Sequence, residues 1–268
     1  MSKSSMNIEG NIRMKEITFK NINIIGNVIV ENELYKQVHY PEMIIRYDSN
    51  FIEFKKMPSL IKLQEAETYL RDFHKKHNQQ HVKFYFPENE KPCEEILTYL
   101  RFQKYDIGFL ELYAIQPENF PAVDNHPEID IQEVNEQNFN AYIKLQYEID
   151  RQFGEDFAKQ KIDLNTKHYF DSGIMQIIAY YQGEPVGSMD VIISDETAEI
   201  DGLEVKKAVQ RKGIGSRLQQ YVMDKFSDKT IILVADGEDT PKEMYKRQGY
   251  QYLGYQYEVQ KIEEPNKS

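Results

Sequence analysis

The stretch "AEIDGLEVKKAVQRKGIGSRLQQYVMDKF", residues 198–226, constrains the fold more than any other part of the sequence. "AEIDGLEV" reads as a strand. After the turn, Ile214, Leu218, Tyr221, Val222 and Phe226 fall on one stripe of a helix. Between the two lie the basic pair Arg211 and Lys212 and the glycines Gly213 and Gly215. A helix start exposes amide donors with no intrahelical partner and carries the positive end of the dipole, so it suits an anion. The stretch is not a P-loop, because no G-x-x-x-x-G-K-[ST] runs through it. It also lacks the third glycine of the dinucleotide fingerprint. Alone, G-x-G fits a plain turn as well as an anion site.

Prolines 117, 121 and 127 interrupt "AIQPENFPAVDNHPEIDI" and divide the chain nearly in half. The expected division is a polar tail at 1–15, a first domain at 16–120 and a second at 121–268. In the second, "IDIQEV" reads as a strand, "NEQNFNAYIKLQYEIDRQFG" as a helix and "KHYFDSG" as a short helix closing at Gly173. Two strands with a turn at "QGEP" follow, then the opening stretch, the strand "TIILVAD", the helix "TPKEMYKRQ" and the closing strand "YQYLGYQYEVQ". In the first, "PSLIKLQEAETYLRDFHKKHNQQ" reads as a helix and "VKFYFP" as a strand. "LTYLRFQKYDIGFLELY" there echoes "KEMYKRQGYQYLGYQYE" near the end, which points to two similar units in tandem. The fold class expected is mixed α/β, with a mostly antiparallel central sheet flanked by helices.

Composition narrows the function. The chain of 268 residues is 40% hydrophobic and 29% charged, an ordinary globular mix. No apolar run approaches about 18 residues, so no membrane partner is expected. The single cysteine, Cys93, precludes an intrachain disulfide and fits a reducing, cytoplasmic setting. A net charge of −11 argues against a nucleic-acid partner. Residues 1–120 hold 16 Lys+Arg against 17 Asp+Glu, which leaves 17 against 27 for residues 121–268. The acidic second half attracts cationic or amine-bearing partners as readily as it confers solubility.

The order of elements around the glycines resembles motif A of the GNAT N-acetyltransferases, Q/R-x-x-G-x-G/A. Here it reads Gln210, Arg211, Lys212, Gly213, Ile214, Gly215. "MYKRQGY" resembles motif B of that family, with Tyr245 followed by Gly249 and Tyr250. The resemblance covers about residues 128–260 and implies acetyl-CoA as cosubstrate, with no metal. By it, the amides from Arg211 through Ser216 bind pyrophosphate, with charge added by Arg211 and Lys212. Leu203 and Val205 pair with the pantetheine arm through their main chain, and the Val205 amide polarises the thioester carbonyl. Tyr245 protonates the leaving thiolate.

Glu199 or Asp201 serves as base. In an extended strand these two share a face with Leu203 and Val205, and Glu204 points the other way unless a bulge intervenes. The acceptor implied is a small-molecule or protein amine, and a homodimer is compatible. A noncatalytic acyl-CoA-binding or interaction protein of the same fold is the alternative. It is kept open by Glu238 and Pro241, which stand where the family often has asparagine and alanine. The first half has no such motif, and Leu100 stands where Tyr245 does.

Other features read more plainly. His74, His77 and His81 are spaced along one helix face but lack acidic or cysteine companions, so a solvated helix end is expected and no metal. His168 falls in a region that lines the acceptor site in the family; packing is its expected role. The 19 tyrosines and 14 phenylalanines suit an aromatic core and a partly aromatic acceptor pocket.

Overall fold

The computed structural model describes Met14, residues 16–238 and 241–263. The tail expected at 1–15 therefore lies, Met14 apart, outside the described residues. The chain forms two compact units. The first holds Thr18–Leu112, Ala235–Lys242 and the chain from Leu253; the second holds Tyr113–Val234 and Glu243–Tyr252, with Met14 and Ile17. A cut at 120/121 thus differs from these units in detail, because the closing strand belongs mostly to the first.

In the first unit the strands are β1 (Asn27–Glu31), β2 (Tyr35–His39), β3 (Phe51–Phe54), β4 (His81–Tyr85), β5 (Asp106–Ile115) and the greater part of β11 (Gln251–Ile262). Their order is β1-β2-β3-β4-β11-β5. β3 and β4 are parallel, and the helix α1 (Leu60–Lys76) joins them. Leu63, Ala66, Glu67, Leu70 and His74 of α1 are buried, the spacing of one helical stripe. Leu63, Ala66 and Leu70 pack with Ile52, Phe54, Val82, Phe84 and Phe86 into the core, which α2 (Glu94–Phe102) completes with Ile96 and Leu100. Every residue of β4 is buried, so it shows no polar alternation.

The histidines do not share a helix face. α1 ends at Lys76, His77 caps it, and Asn78 turns the chain at φ +58°, so His81 lies in β4. His74 and His81 then meet inside, with ring centroids 4.4 Å apart. His74 Nδ1 lies 2.6 Å from the His81 carbonyl, and His81 Nε2 lies 2.8 Å from that of Asn50.

In the second unit β6 (Ile129–Glu133), β7 (Ile174–Tyr181), β8 (Glu184–Ile193) and β9 (Thr197–Val205) form an antiparallel meander, and β10 (Thr230–Asp236) runs parallel to β9. The helices are α3 (Phe139–Asp150), α4 (Glu155–Phe170), α5 (Ile214–Lys225) and α6 (Pro241–Arg247). "KHYFDSG" is the last turn of the long α4 rather than a separate helix. On α5 the anticipated stripe is buried at Ile214, Leu218, Val222 and Phe226; Tyr221 is half-buried and donates to Glu133 Oε1 at 2.8 Å.

The tandem echo is carried into backbone detail. β3-α1-β4-α2-β5 repeats the order β9-α5-β10-α6-β11, and each begins with two parallel strands. After α2, Gln103, Lys104 and Tyr105 donate their amides to the carbonyls of Tyr99, Arg101 and Leu100. After α6, Gln248, Gly249 and Tyr250 donate to those of Met244, Lys246 and Tyr245. The left-handed residue is Lys104 at φ +60° in one turn and Gly249 at φ +86° in the other.

Gly249 is held there by space as well as by φ, since a Cβ would lie 2.7 Å from the Asn119 carbonyl oxygen. Gly249→Ala is expected to destabilise the protein by about 2 kcal/mol or more. Lys104→Gly is expected to stay within about 1 kcal/mol of the parent. Urea midpoints check both, and equal effects would refute the steric account.

A second expectation concerns acid. Burial is the main force that pushes His74 down to about 4 and His81 down to about 3. The folded state therefore binds fewer protons than the unfolded state below the ordinary histidine value of about 6.5. Stability present near neutrality is lost as pH falls from about 6 toward 4, each ring contributing up to about 1.4 kcal/mol per pH unit. His74→Gln is expected to flatten the fall of the urea midpoint with pH; an unchanged slope would contradict this.

Candidate active site

β9 departs from a regular strand at the point where the glycine turn approaches. Its pairing with β8 runs Asp190↔Asp201 and then Ser188↔Glu204, so Met189 faces both Gly202 and Leu203. Gly202 is in the left-handed region at φ +60°, as a bulge residue should be. The bulge flips the alternation. Glu204 now lies opposite Ser188, whose Oγ accepts from Gln146 Nε2 of α3 at 2.8 Å. Val205 lies opposite Gly187, where an added Cβ would meet Ile214 of α5 at 3.6 Å. Leu203 also looks to α5, its Cδ2 within 3.8 Å of a Cβ placed on Gly215.

The face anticipated for a regular strand is therefore corrected. Glu199, Asp201 and Glu204 share the α3–α4 side of the sheet, and Leu203 and Val205 take the α5 side. Glu199 is buried, whereas Asp201 and Glu204 are half-buried.

The bulge also separates β9 from β10. Their parallel pairing ends at Ile200↔Leu233, although β9 continues to Val205 and β10 to Asp236. Past that point the outer edge of β9 is open. Lys206 N donates to the Val186 carbonyl at 2.8 Å, so antiparallel alternation turns the Val205 amide away from β8 and into the gap.

The turn into α5 alternates left-handed residues around an uncapped helix start. Arg211 (φ +63°) and Gly213 (φ +84°) are left-handed on either side of Lys212, the alternation that turns successive amides to one concave side. Gly213 is the N-cap of α5 and accepts from Arg217 N at 2.9 Å, while the amides of Ile214, Gly215 and Ser216 form the free first turn. Gln210 locks the turn to the strand, donating from Nε2 to the Val205 carbonyl at 3.0 Å. Its side chain is thus engaged within the protein. Lys212 is parked over the Tyr181 ring, 4.4 Å from its centroid, with Nζ 3.3 Å from the hydroxyl.

Tyr245 lies on α6, packed against the rings of Tyr113 at 5.1 Å and Tyr250 at 5.4 Å. Tyr250 donates to Gln219 Oε1 of α5 at 2.8 Å, and Gln248 Nε2 lies 3.5 Å from Ser216 Oγ, so the turn after α6 is tied to α5. Burial raises the Tyr245 phenol above its ordinary value, which keeps it protonated near neutrality. Glu204 is also raised, first by burial and then by the nearby Asp150 at the end of α3, with Lys161 of α4 opposing. Asp150, Lys161, Gln146 and Tyr181 had no signal in the sequence, because the contacts that bring them in are long-range. Among the described residues no group of three or more His, Cys, Asp or Glu is arranged to hold a metal, and no helix is long and apolar enough to cross a membrane.

Residues 139–250 match the acetyltransferase (GNAT) family, and residues 17–113 match a domain of unknown function, DUF5613. Over 94% of this chain and 100% of the other, the structure resembles a functionally unknown conserved protein from Staphylococcus epidermidis ATCC 12228, at 36% identity and TM-score 0.87. A GCN5-related N-acetyltransferase from Kribbella flavida shares the fold at 12% identity and TM-score 0.58, over 88% of this chain and 89% of that one. A tandem GNAT protein from the clavulanic acid biosynthesis pathway does so at 10% identity and TM-score 0.50, over 81% and 76%. No protein with a curated description matches the sequence. The chain shares a family with the staphylococcal protein along nearly its whole length, and through its second half it belongs to the GNAT acetyltransferases.

Proposed function

We propose that the second unit is an acetyl-CoA-dependent N-acetyltransferase acting on a primary amine. The observation that carries this is the bulged, open edge of β9 directly beside the anion cradle that starts α5. Pyrophosphate sits against the amides from Arg211 to Ser216, and the pantetheine arm lies along Leu203 and Val205. The Val205 amide donates to the thioester oxygen as charge builds there. Gln210 acts by holding the cradle to β9. Lys212, whose ammonium rests on the Tyr181 ring, adds positive charge for a phosphate.

On the α3–α4 side the acceptor meets Glu199, Asp201 and Glu204. Glu204 is the base best placed, adjacent to Val205 and raised toward the working pH, with Glu199 and Asp201 behind it on the same face. The neutral amine attacks the thioester carbon, the C–S bond breaks, and Tyr245 gives its proton to the thiolate. Small amines and protein amines both suit an acidic unit, and the lone exposed Cys93 suits a reducing, cytoplasmic setting. Tyr245→Phe is expected to leave acetyl-CoA affinity within about twofold and to lower turnover about 100-fold. Binding without turnover in the parent would favour the acyl-CoA-binding alternative.

Gly213→Asp isolates the cradle. A side chain there meets nothing within 4 Å, so the fold survives at a cost of about 1 kcal/mol for the left-handed backbone. The added carboxylate sits where pyrophosphate belongs, and calorimetry is expected to find no acetyl-CoA binding. Retained binding would refute the assignment of the turn.

Glu204→Gln tests the base from the other side. A carboxyl raised by folding costs stability as pH rises from the ordinary carboxylate value through its folded one, so the amide is expected to raise Tm at pH 7 and leave it unchanged at pH 4. The same variant is expected to lose most turnover. A variant that is equally stable at pH 7 and fully active would remove Glu204 from the mechanism.

A further inference from the structure

The turn after α6 sends one polar side chain inward. Gln248 is 8% exposed, and its Nε2 donates to Ser216 Oγ of α5 at 3.5 Å, the long limit of such a bond. Its Oε1 is buried and meets no donor among the described residues. Two residues on, Tyr250 donates to Gln219 Oε1 at 2.8 Å, so the carboxamide oxygen of Gln219 is engaged where that of Gln248 is not. Gln248 N donates to the Met244 carbonyl at 2.9 Å and Gly249 turns left-handed at φ +86°, which fixes the backbone that carries the side chain.

A buried acceptor without a donor destabilises the fold that holds it, and an apolar side chain of the same length would fill the place without that loss. Packing alone therefore gives no reason for a glutamine here. Its contact does. Ser216 is half-buried and is the third residue of α5, whose start carries no side-chain cap. Helix side chains lean toward the N-terminus, so the Ser216 hydroxyl leans toward the end where the amides of Ile214, Gly215 and Ser216 are free. A hydroxyl has one proton and two lone pairs. With the Gln248 N–H on a lone pair, the Ser216 proton is left for another acceptor. A hydroxyl proton and free helix amides turned to one open end favour an oxyanion.

We propose that Gln248 is a positioning residue for the cosubstrate: it holds the Ser216 hydroxyl so that its proton is donated to a pyrophosphate oxygen of acetyl-CoA. The inference rests on the acetyltransferase reading of the same turn. Gln248 acts through Ser216 and does not touch the ligand. As the oxyanion draws on the Ser216 proton, Oγ becomes a better acceptor, and the long contact with Gln248 Nε2 strengthens. The anion gains a hydrogen bond that is itself backed by a second. The unpaired Oε1 is the destabilisation that the free protein keeps for the sake of that contact.

Calorimetry with acetyl-CoA on the full chain tests this, with urea midpoints of the free protein beside it. Gln248→Met keeps the side-chain volume and removes the donor. It is expected to weaken acetyl-CoA about tenfold, and Ser216→Ala is expected to do the same. The double variant is expected to lose about tenfold and no more, because the two side chains act as one unit. Without ligand, the urea midpoint of Gln248→Met is expected to equal or exceed that of the parent, since the unpaired oxygen is gone. Phosphorus spectra of the bound cosubstrate locate the loss: the pyrophosphate resonances are expected to move in both single variants while that of the 3′-phosphate stays. Parental affinity in either single variant, losses that multiply to about 100-fold in the double, pyrophosphate resonances that stay, or a lower urea midpoint of free Gln248→Met would overturn it. Absence of acetyl-CoA binding by the parent protein would instead refute the acetyltransferase reading, on which the urea midpoints do not depend.

Discussion

One extra residue in β9 decides which side chains the second unit gathers on each face of its sheet. With Gly202 and Leu203 facing a single residue of β8, the strand reverses its faces and leaves the ladder with β10 after Ile200. The same kink therefore does two things. It brings Glu204 beside Glu199 and Asp201 under α3 and α4, and it frees the Val205 amide at the open edge. Gln210 then fastens the turn into α5 to the Val205 carbonyl, so the turn and the open edge are joined by one hydrogen bond. A lost bulge would return Glu204 to the α5 side, away from Glu199 and Asp201.

The first unit shows what the same topology does without that device. Its β3-α1-β4-α2-β5 follows the order of the second unit, and its turn after α2 repeats three hydrogen bonds of the turn after α6. Yet Pro58 and Ser59 stand before α1, and Ser59 Oγ caps the helix by accepting from Lys62 N at 3.4 Å. A side chain thus satisfies an amide that in α5 stays free. Leu100, buried in the core, stands where the second unit has Tyr245. At these two places the first unit has a capped helix start and a packed leucine, where the second has an uncapped start and a tyrosine.

Much of this was legible in the sequence, because the decisive signals are local. The strand, glycine turn and helix of 198–226 needed only periodicity and glycine placement, and the repeated turn after α2 and α6 showed in the tyrosine and aromatic spacing. The face of Glu204 was not legible. A lone glycine within a strand pattern hints at a bulge, but its register is fixed only by the pairing with β8. His81 was misplaced for a related reason: β4 is buried on both sides, so no alternation separates it from the helix before it. α4 was cut short because its exposed charges mask a narrow buried stripe at Ala158, Leu164, Asn165 and His168. The contact of Gln248 with Ser216 joins residues 32 apart in sequence, and no local pattern announces such a meeting.

Amide hydrogen exchange over residues 200–216, with and without acetyl-CoA, tests the central claim most directly. Ligand-dependent protection is expected at Val205 and from Lys212 to Ser216, with little change in β6 and β7. Binding that leaves those amides exchanging at their free rate would contradict it, and would place the ligand somewhere other than the open edge of β9.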